Sequence, residues 1–184
     1  MLAERRCADL PQVIFKHATA EILPEEDESF DAVACVQVLL YLPDVPTALS
    51  EMHRVLKPGG RIAIVETDWR GTVLNSFDES LTRRMLAAGD AAKPSPNLPV
   101  RLRPLMKAQG FSAVSVDAFP IVNTSCTPGD FSTTMLEQCA HYAQEQGSVS
   151  TAEAKAWLDD LCAKGEDGSY LFCVNRFIFT AVKI

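Results

Sequence analysis

The chain has 184 residues, of which 47% are hydrophobic and 22% charged, and its formal net charge is −7 at pH 7. This length suits a single domain with one sizeable core. The acidic balance argues against a nucleic-acid groove, because phosphate binding requires clustered Lys and Arg. No apolar run reaches the roughly 20 residues that a membrane span needs, and the N-terminus lacks the apolar segment of a signal peptide.

The six cysteines are scattered, without a C-x-x-C pair or a histidine at ligand spacing. A zinc site is therefore not expected, and no metal is assigned to the chain. Cys35 and Cys173 lie within apolar runs, where cysteine behaves as a small core residue. Together with the missing signal peptide, this usage predicts a reduced, cytoplasmic protein.

The N-terminal part of the chain predicts two strands. Residues 2–8 have the pattern of the end of a helix, and residues 12–17 form a short β-branched and aromatic run, which is a strand candidate. An acidic loop follows. Residues 30–36 are apolar without alternation, which is typical of a strand covered on both faces of a parallel sheet.

A helix capped by Asp44 comes next in the chain. Its apolar residues recur at steps of three and four on one stripe, namely Val45, Ala48, Leu49, Met52, Val55 and Leu56. Pro46 fits the first turn, where a missing N–H has no helical partner. Residues 58–60, Pro-Gly-Gly, stop the helix and reverse the chain into a strand over residues 61–66. Strand, helix and strand in this order form a right-handed βαβ unit.

Helical segments follow this unit. Ser76 and Glu79 form a capping-box pattern at the start of one helix. A proline-rich linker over residues 93–99 separates it from a further helix that ends at Gly110.

The remaining chain predicts two strands with two helices between them. The strands are expected over residues 113–119 and 170–182. Asp130 opens the first of the helices, and Ser150 with Glu153 forms a second capping box at the start of the other. The whole chain thus predicts an α/β domain with five main strands.

The segment from Ser29 to Trp69 carries a family resemblance. A Pro-Gly-Gly turn alone is a weak marker, but here it follows FDAV, VLLYLPD and a helix of fitting length. This combination resembles the middle of a class I S-adenosylmethionine-dependent methyltransferase of type 11, the kind related to ubiquinone and menaquinone methylases. The resemblance implies a Rossmann-like sheet whose last strand is antiparallel to its neighbours. It also implies a helical cap near residues 130–164, inserted before that strand.

The resemblance further implies that S-adenosylmethionine is the cofactor, and it assigns adenine contacts to two residues. In relatives, the segment after the third strand reads G-D-A-E-x-L-P, and its Asp bonds the adenine amino group. Residues 18–24 here read ATAEILP, so Thr19 stands at the Asp position and offers only a hydroxyl. Ala20 keeps the place of a backbone contact to the ring. The alternative for Thr19 is an ordinary loop residue.

Three residues match the family motif whose backbone lies along the methionine part of the cofactor: Cys35, Val36 and Gln37. They follow a strand at its carboxyl end, where ligands bind in open α/β sheets. The alternative is that Val36 belongs to the core and Gln37 caps the next turn.

Substrate contacts are expected beyond the following strand. Asp68 could accept a proton from a substrate hydroxyl or amine as a general base, or it could cap the next turn. Trp69 lies beside it and is expected to contact the substrate. Tyr170, at the start of the last strand, is a second substrate-binding candidate that could point either way.

One family motif is absent from the 184 residues. The family fold begins with a strand ending in an acidic-x-G-x-G-x-G loop, and its second strand ends in an acidic residue that bonds the ribose. The nine glycines here contain no G-x-G, and Met1 corresponds to an internal methionine of a typical relative. We therefore expect an N-terminally truncated, single partial domain over residues 1–184. Residues 1–70 would be its cofactor-side half and residues 71–184 its substrate-side half.

Two functions are compatible with this pattern. The first is S-adenosylmethionine-dependent methyl transfer to a small organic molecule, impaired in the chain as it stands. The alternative is a non-catalytic, methyltransferase-like module that binds a partner protein. In the family sheet, with strand order 3-2-1-4-5-7-6, the two missing strands are central. The chain could therefore self-associate through its incomplete sheet.

Overall fold

The computed structural model of the protein describes residues 2–184, which form one sheet with helices packed against it. Helices and strands alternate, as expected for an α/β domain. In chain order they are α1 (Leu2–Arg6), β1 (Phe30–Val36), a 3₁₀ turn (Leu39–Tyr41), α2 (Val45–Val55), β2 (Leu56–Leu74), α3 (Glu79–Ala91), α4 (Pro99–Ala108), β3 (Phe111–Asn123), α5 (Phe131–Glu145), α6 (Thr151–Asp167) and β4 (Phe172–Lys183).

The sheet has the strand order β1-β2-β4-β3. β1 runs parallel to β2, with Cys35 opposite Ile64. β4 lies between β2 and β3 and is antiparallel to both, with Phe179 opposite Ile64 on one side and Val116 on the other. The predicted reversal of the last strand is therefore confirmed, as is the α/β class.

The strand predicted over residues 12–17 is wrong. This segment has no regular secondary structure and makes no ladder with the sheet, so the described residues contain four strands rather than five. Val13, Ile14 and Phe15 are exposed. A β-branched run acquires strand structure only when a neighbouring strand and a buried face receive it. None of the described strands lies along the outer edge of β1, so the run has no such neighbour.

Other details also differ from the sequence prediction, among them the length of β2 and the cap of α3. β2 begins directly after α2 and runs well past the predicted end at residue 66, with an irregular stretch opposite β4 between Asp68 and Val73. The predicted capping box of α3 is also wrong. Asp78, not Ser76, caps that helix, and its carboxylate accepts a hydrogen bond from the Leu81 N–H at 2.9 Å. Aspartate at the N-cap satisfies an otherwise unpaired donor of the first turn.

Two predicted helix starts are confirmed. Asp44 caps α2 by accepting a hydrogen bond from the Thr47 N–H at 3.1 Å. Ser150 and Glu153 form a reciprocal capping box at the start of α6. The apolar stripe of α2 is buried, as its period predicted, at Val45, Ala48, Leu49, Met52 and Val55.

The buried side chains form two clusters. The first packs α2 and α4 on the sheet around Ile62, Ile64 and Phe179. The second packs α3, α5 and α6 around Trp69, Trp157 and Phe172. The helices α5 and α6 lie between β3 and β4 in the chain and form the helical cap. None of the helices within residues 2–184 combines the length and the apolar character that a membrane crossing demands.

Candidate functional site

The carboxyl ends of the parallel strands β1 and β2 lie side by side, and hydrogen bonds from Gln37 hold them together. The Gln37 backbone N–H donates to the Val65 carbonyl at 2.9 Å, and its side-chain Nε2 donates to the same carbonyl at 3.1 Å. Its Oε1 accepts from the Thr67 hydroxyl at 2.7 Å. Gln37 also has a φ of +55°, which is uncommon for a residue other than glycine. Strained backbone held by surrounding bonds is frequent at functional sites.

The three residues of the predicted methionine-side motif differ in exposure. Val36 is 55% exposed, so its surface is open to a ligand and it does not belong to the core. Cys35 is buried, and burial, with a smaller contribution from Glu66, raises the pKa of its thiol to about 12. The thiol therefore stays protonated at neutral pH and acts as a packing group.

Glu66 is a residue of this sheet end that the sequence prediction did not assign. Its side chain is fully buried, and Oε1 accepts a hydrogen bond from the Leu39 N–H at 2.8 Å. Burial raises the pKa of this carboxyl to about 7, against the lowering effect of backbone hydrogen bonds from residues 38–40. The carboxyl holds the 3₁₀ turn against β2. A charged residue within the apolar run RIAIVE was the signal that could have identified it.

The predicted adenine-side residues lie on a separate loop. Thr19 is exposed and forms an isolated bridge with Ile22, while Ala20 is half-buried against the first core cluster. The same loop is attached to α2, because the Leu23 N–H donates to Glu51 at 2.9 Å and Arg54 donates to the Leu23 carbonyl at 3.1 Å. The described hydrogen bonds and packing do not bring Thr19 into contact with Gln37.

Asp68 lies within β2, at the start of its irregular stretch. It is half-buried, and its Oδ1 accepts a hydrogen bond from the Arg70 N–H at 3.2 Å. A Cβ atom at Gly71 would lie 3.1 Å from its Oδ2, so the turn closes tightly over this carboxylate. The structure thus gives Asp68 the turn-capping bond that was one of its two predicted roles. Its role as a base is not tested by this bond.

Trp69 stands at the centre of an aromatic and cationic cluster. Its ring stacks on Phe131 of α5 with a centroid distance of 6.1 Å and an interplanar angle of 27°. The Lys93 ammonium lies 5.1 Å from the ring centroid, within the range of a cation–π contact. A cavity of about 90 Å³ opens beside them and is also lined by Tyr41 and Tyr142.

Lys93 lines this cavity and is a further residue that the sequence prediction missed. Its ammonium donates to the Gly89 carbonyl, and within residues 2–184 no carboxylate lies within 4.0 Å of it. Burial lowers the pKa of Lys93, while Cys139 and Asp90 oppose that shift. The carboxylate of Asp90 pairs instead with Arg70 at 3.4 Å. Lys93 stood in the proline-rich linker, and no local sequence pattern distinguishes it.

Tyr170 is buried in the second cluster, just before β4 begins. Its side chain is 2% exposed, and burial raises the pKa of its hydroxyl. The sequence left open whether this ring points inward or outward, and it points inward. A contact with substrate would therefore require the cap to open.

The carboxyl ends of β1 and β2 combine an open surface with a fixed backbone. Val36 is open, and Gln37 fixes the backbone beside it through three hydrogen bonds. No cluster of three or more His, Cys, Asp or Glu side chains suited to a metal ion is found in the described part of the chain.

Comparison with known proteins identifies the family that this chain resembles. Residues 1–64 match the protein family described as Methyltransferase domain. An uncharacterized 37.1 kDa protein in transposon TN4556 of Streptomyces fradiae is 27% identical over 180 residues, which are 97% of this chain and 51% of that protein. A demethylmenaquinone methyltransferase of Staphylococcus epidermidis is 42% identical over 66 residues, which are 36% of this chain and 27% of the enzyme.

A solved structure extends the likeness to the fold of the whole chain. The crystal structure of a candidate methyltransferase of Bacillus halodurans superposes with a TM-score of 0.57 at 16% identity, covering 98% of this chain and 86% of that one. The chain spans only about half, or less, of the curated relatives it matches. From its sheet topology and these matches, the chain has the fold of the class I S-adenosylmethionine-dependent methyltransferases, and its first 64 residues match their methyltransferase domain family.

Proposed function

We propose that the protein takes part in S-adenosylmethionine-dependent methyl transfer to a small organic molecule. The observation that carries this proposal is the hydrogen-bonded junction of β1 and β2 at Gln37, Val65 and Thr67, with the open Val36 surface beside it. This is the edge of an open α/β sheet where ligands bind.

The chain's residues have distinct roles in this proposal. Thr19 and Ala20 would contact the adenine, and Cys35, Val36 and Gln37 would border the methionine part through their backbone. When bound, S-adenosylmethionine supplies an electrophilic methyl group on its sulfonium. The protein's contribution is mainly to hold the acceptor in line with that group.

The acceptor side is formed by β2 and the cap. Asp68 would take the proton of an acceptor hydroxyl or amine, and Trp69 would pack against the acceptor. Lys93 offers a positive charge without a carboxylate partner among the described residues, in the cavity beside Trp69. Tyr170 would contact the acceptor only after the helical cap opens.

We further propose that the 184-residue polypeptide by itself binds the cofactor poorly. It contains no G-x-G sequence, and hydrogen bonds to charged groups contribute roughly 1.5–3 kcal/mol each. The loss of two or three such contacts weakens binding by several orders of magnitude, because each 1.4 kcal/mol is about tenfold. Calorimetric titration of this polypeptide with S-adenosylmethionine checks the expectation, and micromolar affinity would contradict it.

A chimera tests the function directly. The part of the Staphylococcus epidermidis demethylmenaquinone methyltransferase that precedes its match with this chain is fused to residues 1–184. The expected result is tight binding of S-adenosylmethionine by the folded chimera, and methyl transfer to a small quinol or phenol. A folded chimera that binds no cofactor would overturn the proposal.

The alternative function is a non-catalytic module. The exposed outer edge of β1 favours it, because unpaired strand edges pair readily with other chains. In that case a second copy of the chain or a partner protein would complete the sheet. The chimera distinguishes the two, since a module gains no cofactor binding from it. A cytoplasmic location is part of the first proposal and agrees with six free thiols in the structure.

A further inference from the structure

Two cysteines outside the candidate site lie next to each other in space. Cys126 belongs to the connection between β3 and α5, and Cys162 lies in α6, 36 residues later. Their sulfur atoms are 4.0 Å apart. Cys162 is exposed and Cys126 is half-buried, so reagents in solution can reach the pair.

The packing of α6 fixes this proximity. A Cβ atom at Gly165 would lie 2.6 Å from the Cys126 Cβ and 3.2 Å from its backbone nitrogen. Only a glycine at this position allows the connection to lie directly on the helix, one turn from Cys162. A disulfide needs an S–S distance of about 2.05 Å, and rotation of two side chains about their Cα–Cβ bonds can supply such a change.

We propose that Cys126 and Cys162 form an oxidisable dithiol, which closes to an intramolecular disulfide in the presence of a hydroperoxide or a small disulfide compound. The inference rests on the geometry of these two residues and not on the proposed function. Among reducing-compartment proteins, such disulfides are usually transient and redox-sensing.

The reaction with hydrogen peroxide proceeds in two balanced steps. The Cys162 thiolate attacks one peroxide oxygen, the O–O bond breaks, and a sulfenic acid and a hydroxide form, the latter taking a proton to become water. The Cys126 thiolate then attacks the Cys162 sulfur, the S–O bond breaks, and a second water leaves. The two thiols lose two electrons and two protons, and the peroxide is reduced to two waters.

The surroundings of Cys126 determine which thiol reacts first. Burial and the neighbouring Cys162 raise the pKa of the Cys126 thiol to about 11, and Glu137 and Asp130 add to the effect. Cys162, the more exposed thiol, is therefore the first nucleophile, and Cys126 resolves the sulfenic acid. The second step becomes faster as the pH rises, because more Cys126 is then thiolate.

The bond would attach the start of α5 to α6 within the cap. Phe131, five residues after Cys126, stacks on Trp69, so the disulfide would restrain the start of α5 where it packs on that ring. It would also restrict the unfolded chain, and we expect the melting temperature to rise by about 5–10 °C.

Peroxide treatment of the 184-residue polypeptide tests the proposal. The wild type should lose two of its six thiols without forming dimers, and peptide mapping under non-reducing conditions should join the peptides that contain Cys126 and Cys162. Cys126→Ser and Cys162→Ser should abolish the cross-linked peptide and the rise in melting temperature. Cys173→Ser, a half-buried control outside the pair, should behave as the wild type.

Gly165→Ala provides a second variant that retains all six thiols. The added methyl group pushes the connection away from α6, so the rate of cross-linking should fall at least tenfold while circular dichroism stays unchanged. The proposal is overturned if wild-type Cys126 and Cys162 are recovered as separate peptides after their thiols are consumed. It is also overturned if Gly165→Ala cross-links as fast as the wild type.

Discussion

Glu66 shows how one buried carboxyl organises the end of the sheet. Its Oε1 holds the Leu39 N–H, while the next residue, Thr67, bonds to Gln37. Adjacent residues of one strand thus fix both the end of β1 and the 3₁₀ turn that follows it. The sequence indicated a polar residue within an apolar strand. It could not indicate the partner, because Leu39 is 27 residues away and offers only a backbone group.

The stability of the protein should depend on pH through Glu66. Its pKa is raised from 4.5 to about 7 in the folded state, so between these values the folded protein retains a proton that the unfolded chain has lost. The contribution of Glu66 to the free energy of unfolding is therefore fully present below pH 4.5 and is lost as the pH rises through about 7. Relative to that of Glu66→Gln, the free energy of unfolding of the wild type should fall by about 2–3 kcal/mol between about pH 5 and pH 8.

Urea denaturation of both proteins across this pH range measures the difference. Glutamine keeps an oxygen for the Leu39 N–H and cannot ionise, so Glu66→Gln removes the titration and little else. Glu166→Gln, at an exposed position of α6, serves as the control and should follow the wild-type profile. If the free energy of unfolding changes with pH in the same way for the wild type and Glu66→Gln, burial does not raise the pKa of this carboxyl.

At the scale of elements, local signals were most reliable where a helix carries a cap or a period, and least reliable where a strand depends on a distant partner. The start of α6 was predictable because a capping box is formed by residues three apart, and α2 because its stripe follows a fixed period. The failed strand over residues 12–17 has good strand composition. Its structure depends on a neighbour that composition does not reveal. The length of β2 was underestimated for the same reason, since β4 pairs with its distal part.

The first residues of β2, directly after α2, include two glycines on which stability should depend for different reasons. Gly59 has a φ of +77° and open space around it, so Gly59→Ala should cost about 1 kcal/mol. A Cβ atom at Gly60 would lie 2.8 Å from the Lys57 carbonyl oxygen and 3.0 Å from the Leu56 side chain. Gly60→Ala should therefore lower the free energy of unfolding by about 2–4 kcal/mol.

Thermal unfolding of the two variants checks this order. Gly129→Ala is the matched control, because Gly129 has a φ of +85° with nothing close to its added carbon. Its loss of stability should be similar to that of Gly59→Ala. Equal losses for Gly59→Ala and Gly60→Ala would mean that the backbone at residue 60 can shift without cost.

The attachment of the cap to α3 should depend on one buried hydrogen bond. The Trp157 indole N–H donates to the Thr82 hydroxyl at 2.8 Å, and both side chains are buried. Thr82→Val keeps the shape but leaves the indole N–H unpaired, which should lower the free energy of unfolding by about 1–3 kcal/mol. Thr82→Ser retains the hydroxyl, so its free energy of unfolding should fall less than that of Thr82→Val. Chemical denaturation of both variants measures the two losses, and equal values would assign the effect to packing alone.

For the whole molecule, topology explains both what the sequence predicted of the site and what it missed. Val36, Gln37 and Asp68 follow the strand ends that the βαβ pattern predicted, so their common edge was foreseeable. Lys93 joins Trp69 only because α3 packs against β2 and α5, a contact between segments far apart in sequence. The position of Thr19 relative to Gln37 likewise depends on loop packing, which local patterns do not encode.

The outer edge of β1 has no partner strand among the described residues, and the sheet face beside it is open. A cavity of about 560 Å³ lies on that face and is lined by small residues, among them Ala32, Ala34 and Ala63. Ile14 and Phe15, in the segment that forms no strand, add exposed apolar surface. Exposed strand edges with apolar neighbours promote pairing between chains.

The 184-residue polypeptide should therefore self-associate as its concentration rises. Sedimentation velocity over a wide concentration range should show a weight-average sedimentation coefficient that increases with concentration. Ala34→Lys places a charge on the exposed face of β1, where a pairing chain would have to bury it, and should reduce association at least tenfold. Ser50→Lys adds the same charge on the exposed side of α2, away from the sheet, and should leave association unchanged. If the wild type sediments as a monomer throughout, or if both lysine variants weaken association equally, the edge of β1 is not the interface.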